Sequence, residues 1–328
     1  MQNDSRKNIS PSISTPKLVV IGELNIDLIM YNVNQLPEIG KERIAQDMTL
    51  TLGSSSAILA SNTSMLGLEV GFIGRIGHDD FGTYAVKSLD ESGVDTQYVI
   101  KTKGIATGVT IIYTFQNDRG MLTYPGAMEK LVYQDIPWDY LSQAQHLHLS
   151  SFYLQTGIRP SSKDIFKKAK ELGLTTSLDT NWDPEDKWGT DILDTLDYVD
   201  VFLPNDQEAM MISGENNLEQ ALSSLSERAG LVVATCGSEG VKARQDKETY
   251  SIPGLPVVPV DAVGAGDSFN SGFLKEFING SSIEECLYSG LLTGAYSTQD
   301  AGGTTAFKDM DKFMRFKKDM VSHLNANT

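Results

Sequence analysis

The stretch of this sequence whose residue types are best suited to catalysis or anion binding is D-A-V-G-A-G-D, from Asp261 to Asp267. The aromatic residues that follow it have helical spacing: Phe269, Phe273 and Phe277. The turn Gly264-Ala265-Gly266 is therefore predicted to lie at the N-terminus of a buried helix. Backbone N–H groups there lack intrahelical partners, and the helix dipole adds about +0.5 charge. Such a turn can bind a phosphate or a developing oxyanion.

The second aspartate, Asp267, stands beside this predicted anion site, where a permanent carboxylate opposes phosphate binding. Phosphoryl transfer explains the conflict, because an acceptor hydroxyl must lose its proton while charge builds on the transferred group. A positioned carboxylate can take that proton, which is typically worth about 10²–10⁴-fold in rate. The alternative is that Asp267 only caps the helix, as aspartate often does. The residues of this turn alone leave both interpretations open.

Length, charge and cysteine content narrow the class of protein. The chain has 328 residues and a formal net charge of -16, which argues against nucleic-acid binding, since phosphate neutralisation needs a basic surface. The two cysteines match neither a disulfide framework nor a zinc pattern. The polar first 16 residues lack a secretory signal, and no apolar run approaches the ~18 residues of a membrane span. We expect a soluble cytoplasmic protein with a disordered tail, residues 1–16, and no membrane partner.

Short apolar runs alternate with helical patterns along most of the chain. Runs bounded by Gly, Asp, Ser or Asn are typical of strands buried on both faces; they are Leu18–Ile21, Val70–Ile73, His146–Leu149, Thr175–Leu178, Val199–Leu203 and Leu231–Ala234. Between several of them lie amphipathic stretches such as Ser161–Leu172 and Leu218–Ala229. This repetition predicts an α/β fold with a parallel sheet covered by helices on both faces.

Three segments alternate apolar with mostly polar residues instead: Ile26–Met30, Met48–Leu52 and Thr107–Gln116. A period of two predicts a sheet with one wet face. We therefore predict an α/β core made of residues 17–23, 53–97 and 131–328. A small antiparallel flap would be inserted as residues 24–52 and 98–130. Two ordinary surface hairpins are the alternative.

The segment V-D-A-V-G-A-G-D-S-F-N-S-G-F resembles the D-T-x-G-A-G-D-x-F-x-x-G-F element of the ribokinase-like, or PfkB, carbohydrate kinases. Other family features occur in the expected order from about residue 17 to residue 310. The resemblance implies a three-layer α/β sandwich with a mostly parallel central sheet and a small antiparallel β lid. It also implies that Asp267 is the general base and that the turn Gly264-Ala265-Gly266 stabilises the transferred charge.

The resemblance implies a sugar site made from three segments. In G-E-L-N-I-D, Asp27 is at the place where the family binds sugar hydroxyls; a polar residue on the wet face of a strand is the alternative. Gly53, Ser54 and Ser55 occupy the glycine-rich element, but Ser54 replaces a glycine and Ile58 replaces an asparagine. These two departures place ribose and fructose specificity in doubt. Asn181 follows a predicted strand and is expected to face the cleft.

The nucleotide site is implied by two further matches. N-D-Q-E resembles the family's N-x-x-E, so Asn205 is expected near the phosphates of ATP, and Glu208 is expected to organise Mg²⁺, largely through water. Thr235, Gly237 and Gly240 match a T-x-G-x-x-G turn that borders ATP in the family, although a plain strand-exit loop explains them equally. Asp261 and Val263 stand where the family holds a monovalent cation, which leaves K⁺ activation open.

Together these features predict ATP-dependent phosphorylation of a primary hydroxyl of a sugar or sugar derivative. A nucleoside kinase of the same fold and a non-catalytic sugar sensor are the alternatives. A nicotinamide dehydrogenase is disfavoured, because no G-x-G-x-x-G follows the first strand.

The exposed edge of the lid favours a homodimer. Arg119 could select an acidic sugar or be a solvated turn residue. His146 and His148 lack a third metal ligand.

Overall fold

The computed structural model describes residues 15–35, 37–115 and 118–327. The predicted tail, residues 1–16, lies outside these ranges except for its last two positions, and so does Gln116, the end of one predicted strand. Within the described ranges no helix combines the length and the apolar character that crossing a membrane requires.

The strands, numbered along the chain, are β1 Leu18–Ile21, β2 Asn25–Tyr31, β3 Asp47–Leu52, β4 Val70–Gly77, β5 Asp95–Thr102, β6 Gly108–Phe115, β7 Asp118–Tyr124, β8 His146–Leu149, β9 Thr175–Leu178, β10 Val201–Phe202, β11 Leu231–Thr235, β12 Val241–Gln245 and β13 Glu248–Ile252. The α-helices are α1 Ser55–Met65, α2 Asp80–Glu91, α3 Trp138–Leu141, α4 Ser162–Glu171, α5 Asp191–Leu196, α6 Asp206–Ser213, α7 Leu218–Leu225, α8 Ala265–Ile278, α9 Ile283–Ser297 and α10 Met310–Asn327.

The larger sheet has the strand order β13-β12-β11-β10-β9-β8-β1-β4-β5. Every pair from β11 to β5 is parallel, and β12 and β13 extend one edge in the antiparallel sense. The chain leaves β1 toward β4 on one side and later returns to its other side with β8. The carboxyl ends of β1 and β8 therefore flank a topological switch point, which is where open α/β sheets bind ligands.

The core lies on both faces of this sheet, as β1 illustrates. Leu18 and Val20 pack into one apolar layer, which also contains Phe273 of α8. Val19 and Ile21 pack into the opposite layer, with Phe166 of α4. Because successive side chains of a strand point to opposite faces, a strand buried on both faces is apolar throughout. The predicted three-layer α/β fold is confirmed.

The smaller sheet has the order β3-β2-β6-β7. Its outer pairs are antiparallel and its central pair, β2–β6, is parallel. The register places Asp27, Thr51, Thr110 and Thr123 in one row on one face. The other face carries an apolar row made of Leu28, Leu50, Ile111 and Leu122. Strand β5 is part of the larger sheet along its length to Thr102. The next strand of the smaller sheet, β6, therefore begins only at Gly108.

Candidate active site

The turn before α8 brings Asp267 to the sheet edge. Gly264 caps the helix in the left-handed region, with φ of 73°, and a Cβ atom there would lie 2.7 Å from Gly303 Cα. Only glycine fits both conditions. Ala265 N donates to Ala262 O at 3.3 Å. Gly266 is exposed, and a Cβ atom there would meet nothing within 4 Å. The open side of this turn is therefore at Gly266.

Asp267 lies in the first turn of α8, partly buried, and Ser55 Oγ donates a hydrogen bond to its Oδ1 atom. Burial raises the pKa of Asp267 to about 6; the hydrogen bond from Ser55 opposes this, and the charge of Glu23 adds to it. A carboxylate with this pKa is still ionised at neutral pH and is more basic than an ordinary aspartate. The side chain thus meets the requirements of a general base.

Asp27 of β2 lies nearby on the same face of the smaller sheet as Thr110. Its side chain is 6% exposed and lies against Gly53, where a Cβ atom would be 2.1 Å from Asp27 Oδ1. Gly53 is thus the residue that makes room for the carboxylate. Burial, and next the charge of Asp267, raise the pKa of Asp27 to about 7. The structure brings together the two aspartates that the sequence placed 240 positions apart.

The N-terminus of α1 forms the wall between these aspartates. Ser54 caps the helix, because its Oγ accepts from Ala57 N at 3.2 Å, and Ser55 is the next residue. Ile58, the other departure from the family pattern, is buried and lies against Gly303. One helical turn later, Asn62 donates to Gly303 O and Ser268 Oγ, both at 2.9 Å. Ile58 therefore packs beneath the turn before α8, and Asn62 supplies an amide on the same side of the helix.

Asn181 follows β9 and lies at the same edge of the sheet. Its Nδ2 atom donates to Ser151 Oγ at 2.6 Å, and its backbone N donates to Asp179 Oδ1 at 3.1 Å. Asp179 Oδ2 accepts from Asn270 Nδ2 of α8 at 2.6 Å. Burial and the charge of Asp267 raise the pKa of Asp179 well above its usual range. The end of β9 is therefore joined to α8 across the cleft.

Asn205 and Glu208 form a reciprocal cap at the start of α6. Glu208 N donates to Asn205 Oδ1, and Asn205 N donates to Glu208 Oε2, both at 2.9 Å. Asn205 also forms a parallel bridge with Thr235, at the end of β11. Burial raises the pKa of Glu208 to about 7. After Thr235, Gly237 is exposed, whereas Gly240 is buried inside the turn.

Asp261 and Val263 have structural partners within the protein. Asp261 Oδ1 accepts from Val263 N at 2.9 Å, and Oδ2 accepts from Gly302 N at 3.0 Å. Tyr31 OH of β2 donates to Oδ2 at 3.4 Å. The side chain of Val263 packs with Ile29 and Ile112 of the smaller sheet. These contacts join the turn before α8 to the inner face of that sheet.

Comparison with known proteins identifies the family. The model of the family described as "pfkB family carbohydrate kinase" matches residues 15–310. The chain belongs to the pfkB family of carbohydrate kinases. Among its relatives, the ATP-dependent ribose-1-phosphate kinase of Halopiger xanaduensis is 28% identical over 88% of this chain and 94% of that protein. The ribokinase of Lactococcus lactis is 28% identical over 94% of this chain and 99% of its own length.

Solved structures show the same fold for this kinase. The apo form of a putative Ribokinase II from E. coli covers 93% of this chain and 99% of its own, with a TM-score of 0.82 and 22% identity. The adenosine kinase of Sinorhizobium meliloti has a TM-score of 0.79 and 20% identity, covering 90% of this chain and 99% of its own. With its named sugar-kinase relatives, the chain is an ATP-dependent carbohydrate kinase.

The acidic residues that the structure describes do not form a closed metal centre. In the portion of the chain that the structure describes, no three His, Cys, Asp or Glu side chains are grouped to hold a metal ion. Mg²⁺ keeps several waters and commonly takes one or two carboxylates plus substrate phosphates. Glu208 fits that role, because it is a buried carboxylate at the sheet edge whose hydrogen bonds from Asn205 N and Thr180 Oγ1 both go to Oε2.

His146 and His148 are buried inside the kinase, where they form part of a hydrogen-bonded ladder between β8 and β9. Ser177 Oγ lies 2.7 Å from His146 Nε2 and 2.6 Å from His148 Nδ1. Thr175 and Ser150 contact the outer ring nitrogens at 2.8 and 2.7 Å. Hydroxyls satisfy both rings, so the ladder has a structural explanation.

The sequence analysis gave no role to Glu23, Ser151 or Asn270. Glu23 lies two residues after the end of β1, and Ser151 lies two residues after the end of β8, so the rule that ligands bind at strand carboxyl ends could have identified both. Asn270 carried no comparable signal. An asparagine inside a helix becomes informative only when the fold places it against a carboxylate.

Proposed function

We propose that this kinase transfers the γ-phosphoryl group of ATP to a primary hydroxyl of a sugar or sugar derivative, with Asp267 as general base. The observation that supports this best is the position of Asp267. It lies at the N-terminus of α8, accepts a hydrogen bond from Ser55, and interacts electrostatically with Asp27. Proton acceptor, anion-binding turn and hydroxyl-binding carboxylate then share one cleft.

The proposed step transfers one proton and one phosphoryl group. The acceptor hydroxyl loses its proton to Asp267 as its oxygen forms a bond to the γ-phosphorus, and the bond from that phosphorus to the ADP oxygen breaks. The backbone N–H groups of the turn Gly264-Ala265-Gly266 stabilise the charge on the transferred group, with Gly266 on its open side. Asp27, Gly53, Ser54, Ser55 and Asn181 bind the acceptor.

We place the nucleotide beside the ends of β10 and β11. Asn205, Thr235, Gly237 and Gly240 are the proposed binding residues, and Glu208 is the proposed ligand of Mg²⁺, through water. Bound Mg²⁺ supplies neutralisation of the phosphate charge. A cation would also relieve the cost of keeping the Glu208 carboxylate ionised in a buried position.

Activation by K⁺ would require a cation site beside Asp261 and Val263. Both carboxylate oxygens of Asp261 accept hydrogen bonds from the protein. The side chain of Val263 has no oxygen and packs against Ile29 and Ile112. A monovalent cation here would therefore rely on the backbone carbonyl groups of these residues.

Acceptors that already carry an anionic group are the second candidate, and Arg119 favours them. The register of β6 and β7 pairs Arg119 with Thr114, on the same face as Thr110 and Asp27. Burial is the main cause that raises the pKa of both Asp27 and Asp267. The positive charge of Arg119 lowers both pKa values. Among relatives, one from Bacillus subtilis is named 2-dehydro-3-deoxygluconokinase, whose substrate is a sugar acid.

We propose that the smaller sheet acts as a lid over the acceptor and that two copies pair through it. On its outer face Ile111 and Leu122 are exposed, Leu122 to 69%. Contiguous exposed apolar residues on a monomer are typical of an interaction surface. Lid closure would exclude water and limit wasteful ATP hydrolysis.

The test is a coupled ATP-consumption assay over ribose, fructose, ribose-1-phosphate, 2-dehydro-3-deoxygluconate and adenosine, with wild type and Asp267→Asn. The wild type should phosphorylate a sugar or sugar derivative, and the variant should keep its fold and lose at least about 10²-fold in kcat. Wild-type turnover by the variant would refute the base. Preference for adenosine would indicate a nucleoside kinase. A wild type that is stabilised by a sugar but has no turnover with any acceptor would be a sensor.

A further inference from the structure

We propose that Glu23 is a positioning residue for phosphoryl transfer: it holds three strained backbone positions, Ser54, Ser151 and Asn181, in the shape that the acceptor site requires. This inference rests on the proposed function, because Ser54 and Asn181 are proposed acceptor-binding residues.

The three positions have backbone conformations that residues with side chains rarely adopt. Their φ angles are 74° at Ser54, 53° at Ser151 and 52° at Asn181. Within the described ranges seven non-glycine residues have positive φ, and these three are in one hydrogen-bonded cluster. Such conformations persist only where the surroundings over-determine them, and they concentrate at functional sites.

Glu23 is the residue that connects them. Ser54 Oγ donates to its backbone carbonyl oxygen. Ser151 Oγ donates to Oε1 at 2.6 Å, and Asn181 Nδ2 donates in turn to Ser151 Oγ at 2.6 Å. Ser56 adds two contacts to the carboxylate, from its backbone N at 3.2 Å and from its Oγ at 2.5 Å. One side chain therefore joins the ends of β1, β8 and β9 to the start of α1.

The burial of Glu23 argues against an incidental polar contact. The residue is 3% exposed, and a buried carboxylate is costly unless its oxygens are hydrogen-bonded. Its charge also acts on Asp27 and on Asp267, since it is among the causes that raise both pKa values, after burial in each case. Burial raises the pKa of Glu23 itself, and the hydrogen bonds from Ser151 and Ser56 offset this only in part. The remaining cost of a carboxylate at this place is explained by a requirement of the site.

The cluster reaches the reacting groups through adjacent residues. Ser54 is followed by Ser55, which donates to Asp267. Asn181 is held both by Ser151 and by Asp179. If the Glu23 side chain were removed, Ser56 and Ser151 would lose the carboxylate that accepts their hydrogen bonds. The start of α1 and the Asn181 segment would then be free to relax toward ordinary φ values, which would move Ser55 away from Asp267. A displacement of about 1 Å in a catalytic geometry can cost about 10²-fold in rate.

The experiment compares wild type with Glu23→Ala, Glu23→Gln and Ser151→Ala, by kinetics and by hydrogen–deuterium exchange. We expect Glu23→Ala to lower kcat about 10–100-fold and to leave KM for ATP within about twofold. Exchange should rise in peptides covering residues 52–58, 150–153 and 179–183. Glu23→Gln keeps one carbonyl acceptor, so it should recover most of the loss. Ser151→Ala should raise exchange near Asn181 and leave residues 52–58 unchanged.

Glu208→Gln is the matched exchange control, since Glu208 is also a buried carboxylate at the sheet edge but contacts Asn205 and Thr180, which lack positive φ. Its exchange near Ser54 and Ser151 should equal that of wild type. A Glu23→Ala variant with unchanged exchange at the three peptides, or with kcat within about threefold of wild type, would overturn the inference. If wild type phosphorylates no acceptor, the proposed function fails, and the exchange data still decide whether Glu23 holds the strained positions.

Discussion

At the scale of single residues, the site is governed by carboxylates that burial makes more basic. Asp267, Asp27 and Asp179 are coupled electrostatically, and desolvation is the main cause of the raised pKa of each. A general base works best when its pKa lies near the working pH. Burial in the cleft thus makes these aspartates more basic than ordinary ones, and the hydrogen bond from Ser55 limits the shift in the pKa of Asp267.

The pH dependence of the rate follows from Asp267. Because the proposed base must be deprotonated, kcat/KM for the acceptor should rise with pH through a midpoint of about 6 and fall about tenfold per unit below it. The hydrogen bond from Ser55 lowers this pKa, so Ser55→Ala should move the midpoint to higher pH. Rates measured from pH 5 to pH 8 would check both. A midpoint that does not change in Ser55→Ala would contradict the assignment of the limb to Asp267.

At the scale of elements, strand ends and helix starts supply nearly every polar group of the site. The residues just after β1 and β9 face the N-termini of α1 and α8, and the end of β11 meets the start of α6. Backbone N–H groups are unpaired at helix starts, so polar side chains collect there as caps and as ligands. Among the central strands, β1 and β10 are apolar throughout, whereas β8 and β9 contain the ladder of His146, His148, Thr175 and Ser177.

That ladder predicts acid sensitivity of the fold. Burial lowers the pKa of His146 to about 3 and also lowers that of His148. Below the ordinary histidine pKa of about 6.5, the unfolded chain binds protons that the folded protein excludes. The free energy of unfolding should therefore decrease as pH falls below about 6.5, by about 1.4 kcal/mol per pH unit for each histidine.

The measurement is urea unfolding at pH 7.5 and pH 5.5 for wild type and for His146→Gln/His148→Gln. The carboxylates with raised pKa values have the opposite effect, since they stabilise the folded state as pH falls, but both proteins share them. The difference between the two slopes therefore isolates the histidines. Equal slopes would show that the rings do not remain neutral in the folded protein.

At the scale of the whole molecule, the candidate site lies between the two sheets: Asp27 belongs to the smaller sheet, and Asp267 belongs to α8, which packs on the larger sheet. The inner face of the smaller sheet contacts the turn before α8 through Val263 and through Tyr31. Its outer face carries the exposed side chains of Ile111 and Leu122. The two faces therefore differ: the inner one contacts the turn before α8, and the outer one is the surface proposed to pair with a second copy of the chain.

Association through the outer face can be tested by placing a charged residue on it. Wild type should have twice the chain mass of 35.9 kDa in light scattering, and Leu122→Asp should be monomeric, because a carboxylate in an apolar contact is costly to desolvate. Val258→Asp is the matched control, since Val258 is exposed to 86% but is not in the smaller sheet. A monomeric wild type, or dissociation by both variants, would contradict an interface at the lid.

The sequence by itself was sufficient for the α/β class and for the turn at Asp267, because apolar periodicity and a glycine-rich helix start are local properties of the chain. It also indicated Asp27 and Asn205 through motifs. Only the tertiary structure decided what surrounds these groups. Glu23 and Asn270 became relevant because strand order and helix packing placed them against partners far along the chain. The raised pKa values arise from burial, which no residue has until the chain around it has folded.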